Sequence, residues 1–136
     1  MKKIVVAGGG HAAAQFCASV LETKEAVEIT LITEEGYLPY QRPPLSKTFI
    51  KEAEPQPAWL RPASFYADNQ INIHVNSRVT AINRQDKSVS VNSGDSFSYD
   101  ALVLAIGTRA RTHNLFDTSR YSNVFTLRNM DDANGL

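Results

Sequence analysis

The sequence predicts a three-layer α/β fold with a parallel sheet plus a three-stranded β-meander. Two continuous apolar runs, at residues 4–7 and 101–106, are typical of strands buried on both faces of a parallel sheet. Residues 11–22 show the apolar spacing of an amphipathic helix. Residues 79–99 hold three short strand-like segments separated by turn residues, which predict the meander.

The N-terminal segment predicts a strand, helix, strand unit. The apolar run at residues 4–7 is ended by three consecutive glycines, which suit a tight turn. Residues 11–22 then form the helix, and residues 27–33 form a second apolar strand. We expect the two strands to be parallel and the crossover between them to be right-handed.

Residues 37–62 contain all six prolines of the chain and little periodic pattern, which predicts a long loop. A short helix is expected over residues 44–50, because proline fits the first helical turn. Long ordered loops inside a compact domain are usually functional or act as linkers. Because nothing here separates two domains, a functional role is favoured.

The remaining residues predict the second half of the fold. In chain order, a short helix is expected over residues 63–69 and a strand over 71–75, followed by the meander strands over 79–84, 88–91 and 97–99. A central parallel strand is expected over residues 101–106. The tail over 108–136 is expected to be irregular until a helix begins near residue 131. The Gly94-Asp95 pair is a hairpin turn signal between the last two meander strands.

The composition excludes several classes of partner and site. The 14 basic residues balance the 14 acidic ones, so neither nucleic acid nor an anionic membrane is an expected partner. No stretch reaches the roughly 18 apolar residues of a transmembrane helix. The single cysteine, Cys17, excludes an internal disulfide and a Cys-x-x-Cys pair, and the helical pattern places it in the core. A cytoplasmic location is expected, and no metal site is predicted.

Residues 8–13, Gly-Gly-Gly-His-Ala-Ala, match the G-x-G-x-x-[G/A] pattern between a predicted strand and a predicted helix. In this pattern Gly8 makes the tight turn, Gly10 lets the backbone approach a pyrophosphate, and Ala13 lets the helix pack closely on the strand. The N–H groups of the first helical turn then face the phosphates. The context favours a Rossmann-like FAD/NAD(P)-binding fold over the alternative, a glycine-rich turn without a ligand.

Acidic residues follow the second predicted strand, at Glu34 and Glu35. An acid in this position accepts hydrogen bonds from the ribose hydroxyls of an adenosine and repels a 2′-phosphate, which favours FAD or NAD over NADP. Solvation at the surface is the alternative fate of either side chain. On the other side of the glycine turn, His11 and Ala12 open the helix, where His11 either helps to bind an anion or serves as a capping or solvent-facing residue.

Residues 38–47, Leu-Pro-Tyr-Gln-Arg-Pro-Pro-Leu-Ser-Lys, resemble the FAD-dependent ferredoxin and rubredoxin reductases of the pyridine nucleotide-disulfide oxidoreductase type, to which apoptosis-inducing factor is also similar. The run Arg-Pro-Pro-Leu-Ser-Lys is far more specific than any glycine pattern. The resemblance covers nearly the whole chain, including residues 61–66, 78–82, 99–105 and 126–128. It implies a single FAD-binding domain over residues 1–136, as the N-terminal part of a larger reductase.

The resemblance also implies a role for each matching residue. Lys47 becomes the predicted catalytic residue, because its ammonium would stabilise the anionic reduced flavin. Glu34 is preferred to Glu35 for the ribose, because its spacing before the Arg-Pro-Pro run matches the family. At the pyrophosphate turn, the predicted FAD contacts are Gly8, Gly10, His11, Ala12 and Ala13. Arg42 is predicted to brace the pyrophosphate, Pro44 to lie near the isoalloxazine, and Val79 to contact the adenine through its backbone. Ala105, Gly107 and Arg111 fall on the family's A-T-G-x-x-x-R element, where Ile106 replaces the usual threonine.

Two functions from different classes follow. By resemblance, hydride passes from NADH as co-substrate to FAD, and single electrons then pass to a ferredoxin or rubredoxin. The family's NADH-binding and C-terminal domains have no counterpart here, so we expect no full turnover from this chain alone. The alternative is an adenine-dinucleotide binding or interaction module without redox activity, which forms a homo-oligomer through an unpaired sheet edge. The run from Arg42 to Lys47 favours the first, because a pure ADP binder has no use for a lysine at a flavin ring.

Overall fold

The computed structural model describes residues 1–111 and 120–136. Two compact units are present: Met1–Tyr40 with Trp59–Gly107, called the first unit, and Gln41–Ala58 with Thr108–Leu136, called the second unit. The predicted single domain over residues 1–136 stays a prediction. Residues 112–119 of the predicted irregular tail lie outside the described residues.

A four-stranded parallel sheet forms the centre of the first unit. Its strands are β1 (Lys2–Ala7), β2 (Val27–Ile32), β3 (Asn72–His74) and β7 (Ala101–Leu104), in the order β3-β2-β1-β7. Every neighbouring pair is parallel, with Val6 opposite Leu31 on one side of β1 and opposite Val103 on the other. The predicted parallel strands are therefore confirmed.

The prediction that residues 101–106 form a central strand is wrong for the described part of the chain. Strand β7 ends at Leu104 and stands last in the order of the sheet, paired with β1. Leu104 is 57% exposed and Ile106 is 73% exposed. An apolar run indicates that both faces of a strand meet apolar surroundings, but it carries no information about how many neighbouring strands the backbone has.

Helix α1 (His11–Glu22) covers one face of this sheet and has the predicted bounds. Its buried residues are mostly small: Ala13, Ala14, Cys17 and Ala18. Small side chains let the helix backbone approach the strands closely, and Ala13 and Cys17 are fully buried with β1 and β2 residues in one core cluster. Helix α2 (Ala63–Asp68) adds Tyr66 to the same cluster.

The predicted β-meander is confirmed as a three-stranded antiparallel sheet of β4 (Val79–Asn83), β5 (Ser88–Val91) and β6 (Ser96–Ser98). Val89 and Val91 pack with Val5 and Ile32 in a second core cluster. Side chains alternate between the two faces of a strand, so Val5 and Ile32 point away from the face that α1 covers. The meander, the parallel sheet and the helices are thus the three predicted layers.

The second unit contains two 3₁₀ helices, Pro43–Ser46 and Phe49–Lys51, where the sequence predicted one helix over residues 44–50. The prediction of a continuous helix is wrong because Lys47, with φ −127° and ψ −96°, leaves the helical region between them. Helix α3 (Met130–Asn134) begins near the predicted position with a capping box between Asn129 and Asp132. Among the described residues, no helix is both long enough and apolar enough to cross a membrane.

Replacing Leu31 by alanine should lower the free energy of unfolding by about 2–4 kcal/mol, because Leu31 is fully buried in the core cluster and truncation leaves a cavity. Leu104→Ala is the matched control, since Leu104 belongs to the same sheet but is 57% exposed, and we expect it to cost roughly 1 kcal/mol or less. Urea unfolding followed by circular dichroism measures both. Equal losses would contradict the assignment of the core.

Candidate functional site

The chain turns sharply at Gly8, directly after β1. Gly8 has φ +124°, and a Cβ atom there would lie 2.1 Å from the carbonyl oxygen of Ala105. The Gly8 N–H donates to the Ile32 carbonyl at 2.8 Å, and the Ala105 N–H donates to the Ala7 carbonyl at 2.8 Å. A side chain is therefore excluded both by the backbone conformation and by the neighbouring strand, as the predicted tight turn requires.

Gly9 is also constrained, although the motif treats its position as free. A Cβ atom on Gly9 would lie 2.5 Å from Oγ1 of Thr33, whose side chain is buried. The turn after β1 thus packs against the residue that follows β2. This requirement was missed by the sequence analysis, because only the folded structure brings Thr33 to the turn.

Gly10 has a different environment, because a Cβ atom there would have no heavy atom of residues 1–111 or 120–136 within 4 Å. Gly10 is the N-cap of α1, and no side chain of the described residues caps this helix end. The first intrahelical bond runs from the Ala14 N–H to the Gly10 carbonyl at 3.1 Å, so the preceding N–H groups have no intrahelical acceptor. Open space beside uncapped N–H groups suits an anion.

The other predicted residues of the glycine turn, His11, Ala12 and Ala13, lie in the first turn of α1. Ala13 is fully buried against the sheet, as close packing of helix on strand requires. His11 and Ala12 are exposed, and they line a cavity of about 370 Å³ together with Arg61 and residues of α1 and the 59–62 segment. His11 is therefore solvent-facing beside the open end of the helix and, among the described residues, does not cap it; its contact with an anion stays a prediction.

The two acids after β2 have different surroundings. Glu35 is half-buried, and its carboxylate accepts a hydrogen bond from the Tyr40 phenol. Glu34 is exposed, with its Oε2 atom 3.8 Å from Nε of Arg78. Glu34 is therefore the more exposed of the two acids at the end of β2, and its contact with a ribose stays a prediction.

Predicted ligand residues of the first unit collect at one edge of the parallel sheet. Gly8, Glu34 and Ala105 each follow the carboxyl end of a strand, β1, β2 and β7 respectively, which is the edge where open α/β sheets bind ligands. Gly107, with φ +64°, continues from β7 in a conformation that favours glycine. Val79 begins β4 in the meander, and the neighbouring Arg78 reaches Glu34.

The predicted FAD contacts Arg42, Pro44, Lys47 and Arg111 belong to the second unit. Nη1 of Arg42 donates to the Arg128 carbonyl at 3.1 Å. Lys47 is exposed just after the first 3₁₀ helix, which contains Pro44, and Arg111 is exposed. Their contacts with a flavin stay predictions from the resemblance.

Arg128 is a structural residue that the sequence analysis did not assign to the site, although it lies in the resembling 126–128 segment. Its Nε donates to the Thr108 carbonyl at 3.1 Å, and its N–H donates to Oδ2 of Asp132 at 2.7 Å. Because its carbonyl also accepts from Arg42, one residue connects three segments of the second unit. The backbone character of these contacts explains why no residue pattern indicated them.

Cys17 lies in the core, as predicted, and not at a redox-accessible surface. It is fully buried, and burial raises the pKa of its thiol from the ordinary value of 9.0 to about 11. A thiolate, which is the reactive form, is therefore scarce at neutral pH. Within residues 1–111 and 120–136, no three His, Cys, Asp or Glu side chains are grouped so that they could hold a metal ion.

Comparison with known proteins gives consistent results over the whole chain. The family model described as pyridine nucleotide-disulphide oxidoreductase matches residues 2–136. The chain is 34% identical over 97% of its length to the ferredoxin–NAD(+) reductase component of 3-phenylpropionate/cinnamic acid dioxygenase from Photorhabdus laumondii, and 36% identical over 98% of its length to rubredoxin-NAD(+) reductase from Pseudomonas putida. It spans about a third of these relatives, 33% and 34% respectively.

A solved structure shows the same fold. The ferredoxin reductase of the CYP199A2 system from Rhodopseudomonas palustris superposes with a TM-score of 0.90 and 34% sequence identity, over 99% of this chain and 33% of that one. The layer arrangement described above is therefore that of the corresponding third of such a reductase.

Substituting Gly8 and Gly10 by alanine should give different losses of stability. Gly8→Ala should lower the free energy of unfolding by roughly 3 kcal/mol or more, because the new methyl meets the backbone of Ala105 at a strained φ. Gly10→Ala should cost about 1 kcal/mol or less, because the space is open and only N-cap preference is lost. Urea unfolding measures both, and similar losses would contradict the distinction between a glycine packed against its neighbours and a glycine beside open space.

Alkaline pH should destabilise the fold through Cys17. Because the folded-state pKa of about 11 lies above the ordinary 9.0, this contribution is fully present below pH 9 and is lost as the pH rises through 11. We expect the free energy of unfolding to fall by about 2 kcal/mol between pH 8 and pH 10.5 from this group. Cys17→Ala should lack this part of the decrease in the free energy of unfolding, whereas Ser19→Ala, an exposed control on the same helix, should keep it. If the unaltered chain and Cys17→Ala lose stability identically with rising pH, the buried thiol is not the cause.

Proposed function

Since this chain belongs to the pyridine nucleotide-disulphide oxidoreductase family, we propose that it is the FAD-binding module of an NADH-dependent ferredoxin or rubredoxin reductase. The observation that carries the proposal is the open space beside Gly10 at the uncapped N-terminus of α1. In our proposal this space receives the pyrophosphate of FAD, and Glu34 binds the ribose of its adenosine half.

The three consecutive glycines support this assignment because their surroundings differ. Protein atoms occupy the space that a side chain would need at Gly8 and at Gly9. No atom of the described residues occupies it at Gly10, so packing within that part of the chain gives no reason for a glycine there. A ligand that approaches the backbone closely does give one, since a side chain at this position would obstruct the phosphates.

The polar groups at this edge match the ADP half of a dinucleotide. The uncapped N–H groups of α1 donate to phosphate oxygens, which the positive end of the helix dipole also attracts. The Glu34 carboxylate accepts hydrogen bonds from ribose hydroxyls and disfavours a 2′-phosphate. These donors and acceptors all lie on the first unit, at the carboxyl ends of β1 and β2.

FAD, when bound, supplies hydride acceptance from NADH and one-electron donation to the acceptor protein. The residues of this chain bind and orient its adenosine half. Lys47 is proposed as the catalytic residue on the strength of the resemblance, and its exposed position in the second unit leaves the ammonium accessible. The names of the two relatives support ferredoxin or rubredoxin as the acceptor of the whole enzyme, of which this chain represents about a third.

The purified chain, incubated with excess FAD and desalted, should retain the visible absorption of bound flavin. Gly10→Val should abolish retention by filling the phosphate space, and Glu34→Ala should weaken it by roughly tenfold or more through loss of a charge-assisted hydrogen bond. Glu22→Ala is the control, because Glu22 is an exposed acid at the far end of α1.

Retention that is unaffected by Gly10→Val would show that flavin binds elsewhere. An unaltered chain that stays colourless at every FAD concentration would contradict the proposal that this segment is a binding module in its own right.

A further inference from the structure

A cation lies beside the acid that is proposed to bind the ribose. Nε of Arg78 is 3.8 Å from Oε2 of Glu34, and the two side chains are 60% and 53% exposed. An exposed ion pair of this kind contributes little to stability. The pair therefore does little to hold the meander to the parallel sheet.

The backbone fixes the position of Arg78 near Glu34 independently of this ion pair. The Arg78 N–H donates to Oδ1 of Asn92 at 2.8 Å, and the Arg78 carbonyl accepts from the Asn92 N–H at 2.9 Å. One residue earlier, the Ser77 N–H donates to the Thr33 carbonyl at 2.8 Å. Because Thr33 immediately precedes Glu34, the two charged residues start from neighbouring, anchored positions.

Their charges have opposite effects on a phosphate at the ribose 2′ position. Glu34 repels it, whereas an arginine near the ribose is the feature with which dinucleotide sites accept a 2′-phosphate. The side chains are exposed enough to reorient around a ligand while their backbones stay in place. Whether the site accepts or rejects a 2′-phosphate then depends on the opposing charges of Glu34 and Arg78, and not on the acid alone.

We infer that Arg78 is a specificity-determining residue of this site: it opposes the rejection of 2′-phosphorylated dinucleotides by Glu34, and it supplies a ready phosphate contact once the charge of Glu34 is removed. The inference rests on the proposed binding of the ADP half at Glu34. It predicts that a single substitution, Glu34→Gln, reverses the preference for an unphosphorylated ribose, and that this reversal requires Arg78.

The test compares two probes that differ only in the 2′-phosphate, ADP-ribose and 2′-phospho-ADP-ribose, by titration calorimetry on the full chain. The unaltered chain should prefer ADP-ribose. Glu34→Gln should shift the ratio of the two dissociation constants by roughly tenfold or more toward the phosphorylated probe, the size of a charge-assisted hydrogen bond. Because loss of the Glu34 charge also relieves repulsion of the 2′-phosphate, adding Arg78→Gln to Glu34→Gln should remove the greater part of that shift but not all of it, whereas adding Arg84→Gln should leave it unchanged.

Arg84 is a matched control because it is an exposed arginine that follows the far end of β4, roughly 20 Å of strand away from Arg78. Arg84→Gln removes the same formal charge as Arg78→Gln but leaves Arg78, the neighbour of Glu34, in place. Rising salt should reduce the shift of Glu34→Gln if a phosphate contact causes it.

The outcomes separate the two proposals. If the unaltered chain binds neither probe, the proposed function fails and the inference fails with it. If the chain binds ADP-ribose but Arg78→Gln leaves the shift of Glu34→Gln undiminished, or no shift occurs, the proposed function stands and the role of Arg78 is overturned. Thermal melting of each variant, expected to be close to that of the unaltered chain because all three positions are exposed, verifies that every protein compared is folded.

Discussion

The structure of the first unit depends on how closely the backbone after β1 approaches its neighbours. At Gly8 the chain passes the carbonyl of Ala105 with no space for a methyl group, and at Gly9 it meets the buried side chain of Thr33. The end of β1 is thereby held between the segments that follow β7 and β2. This close contact fixes the direction in which α1 leaves the sheet, and hence where the N–H groups of its first turn point.

A second consequence of the β1 position is that its two faces build two different cores. Ile4 and Val6 belong to the cluster under α1, whereas Val5 packs with Val89 and Val91 of the meander. The alternation of a single strand thus joins the helical layer to the antiparallel layer. Since the meander also carries Arg78, this packing brings a charged residue from another sheet to the edge where Glu34 lies.

Most elements of the first unit, and its glycine turn, could be predicted from the sequence, because local periodicity and turn chemistry determine them. The spacing of Ala13, Cys17 and their neighbours specified α1, whereas the position after β2 left Glu34 and Glu35 as alternatives, between which only the resemblance decided. What could not be predicted depends on tertiary proximity: the need for glycine at position 9 arises from Thr33, and the edge position of β7 from strand pairing. The relation of Arg78 to Glu34 likewise joins residues far apart in sequence, which no local pattern encodes.

The distribution of the site over the fold also indicates which part of the ligand this segment can recognise unaided. The groups suited to the ADP half, at the turn after β1 and at the end of β2, lie in the first unit, which has two core clusters of its own. Their geometry is set by β1, β2 and α1, which pack on one another. The proposed recognition of an adenosine diphosphate therefore needs only these strands and this helix, whereas the redox role proposed for Lys47 depends on the second unit.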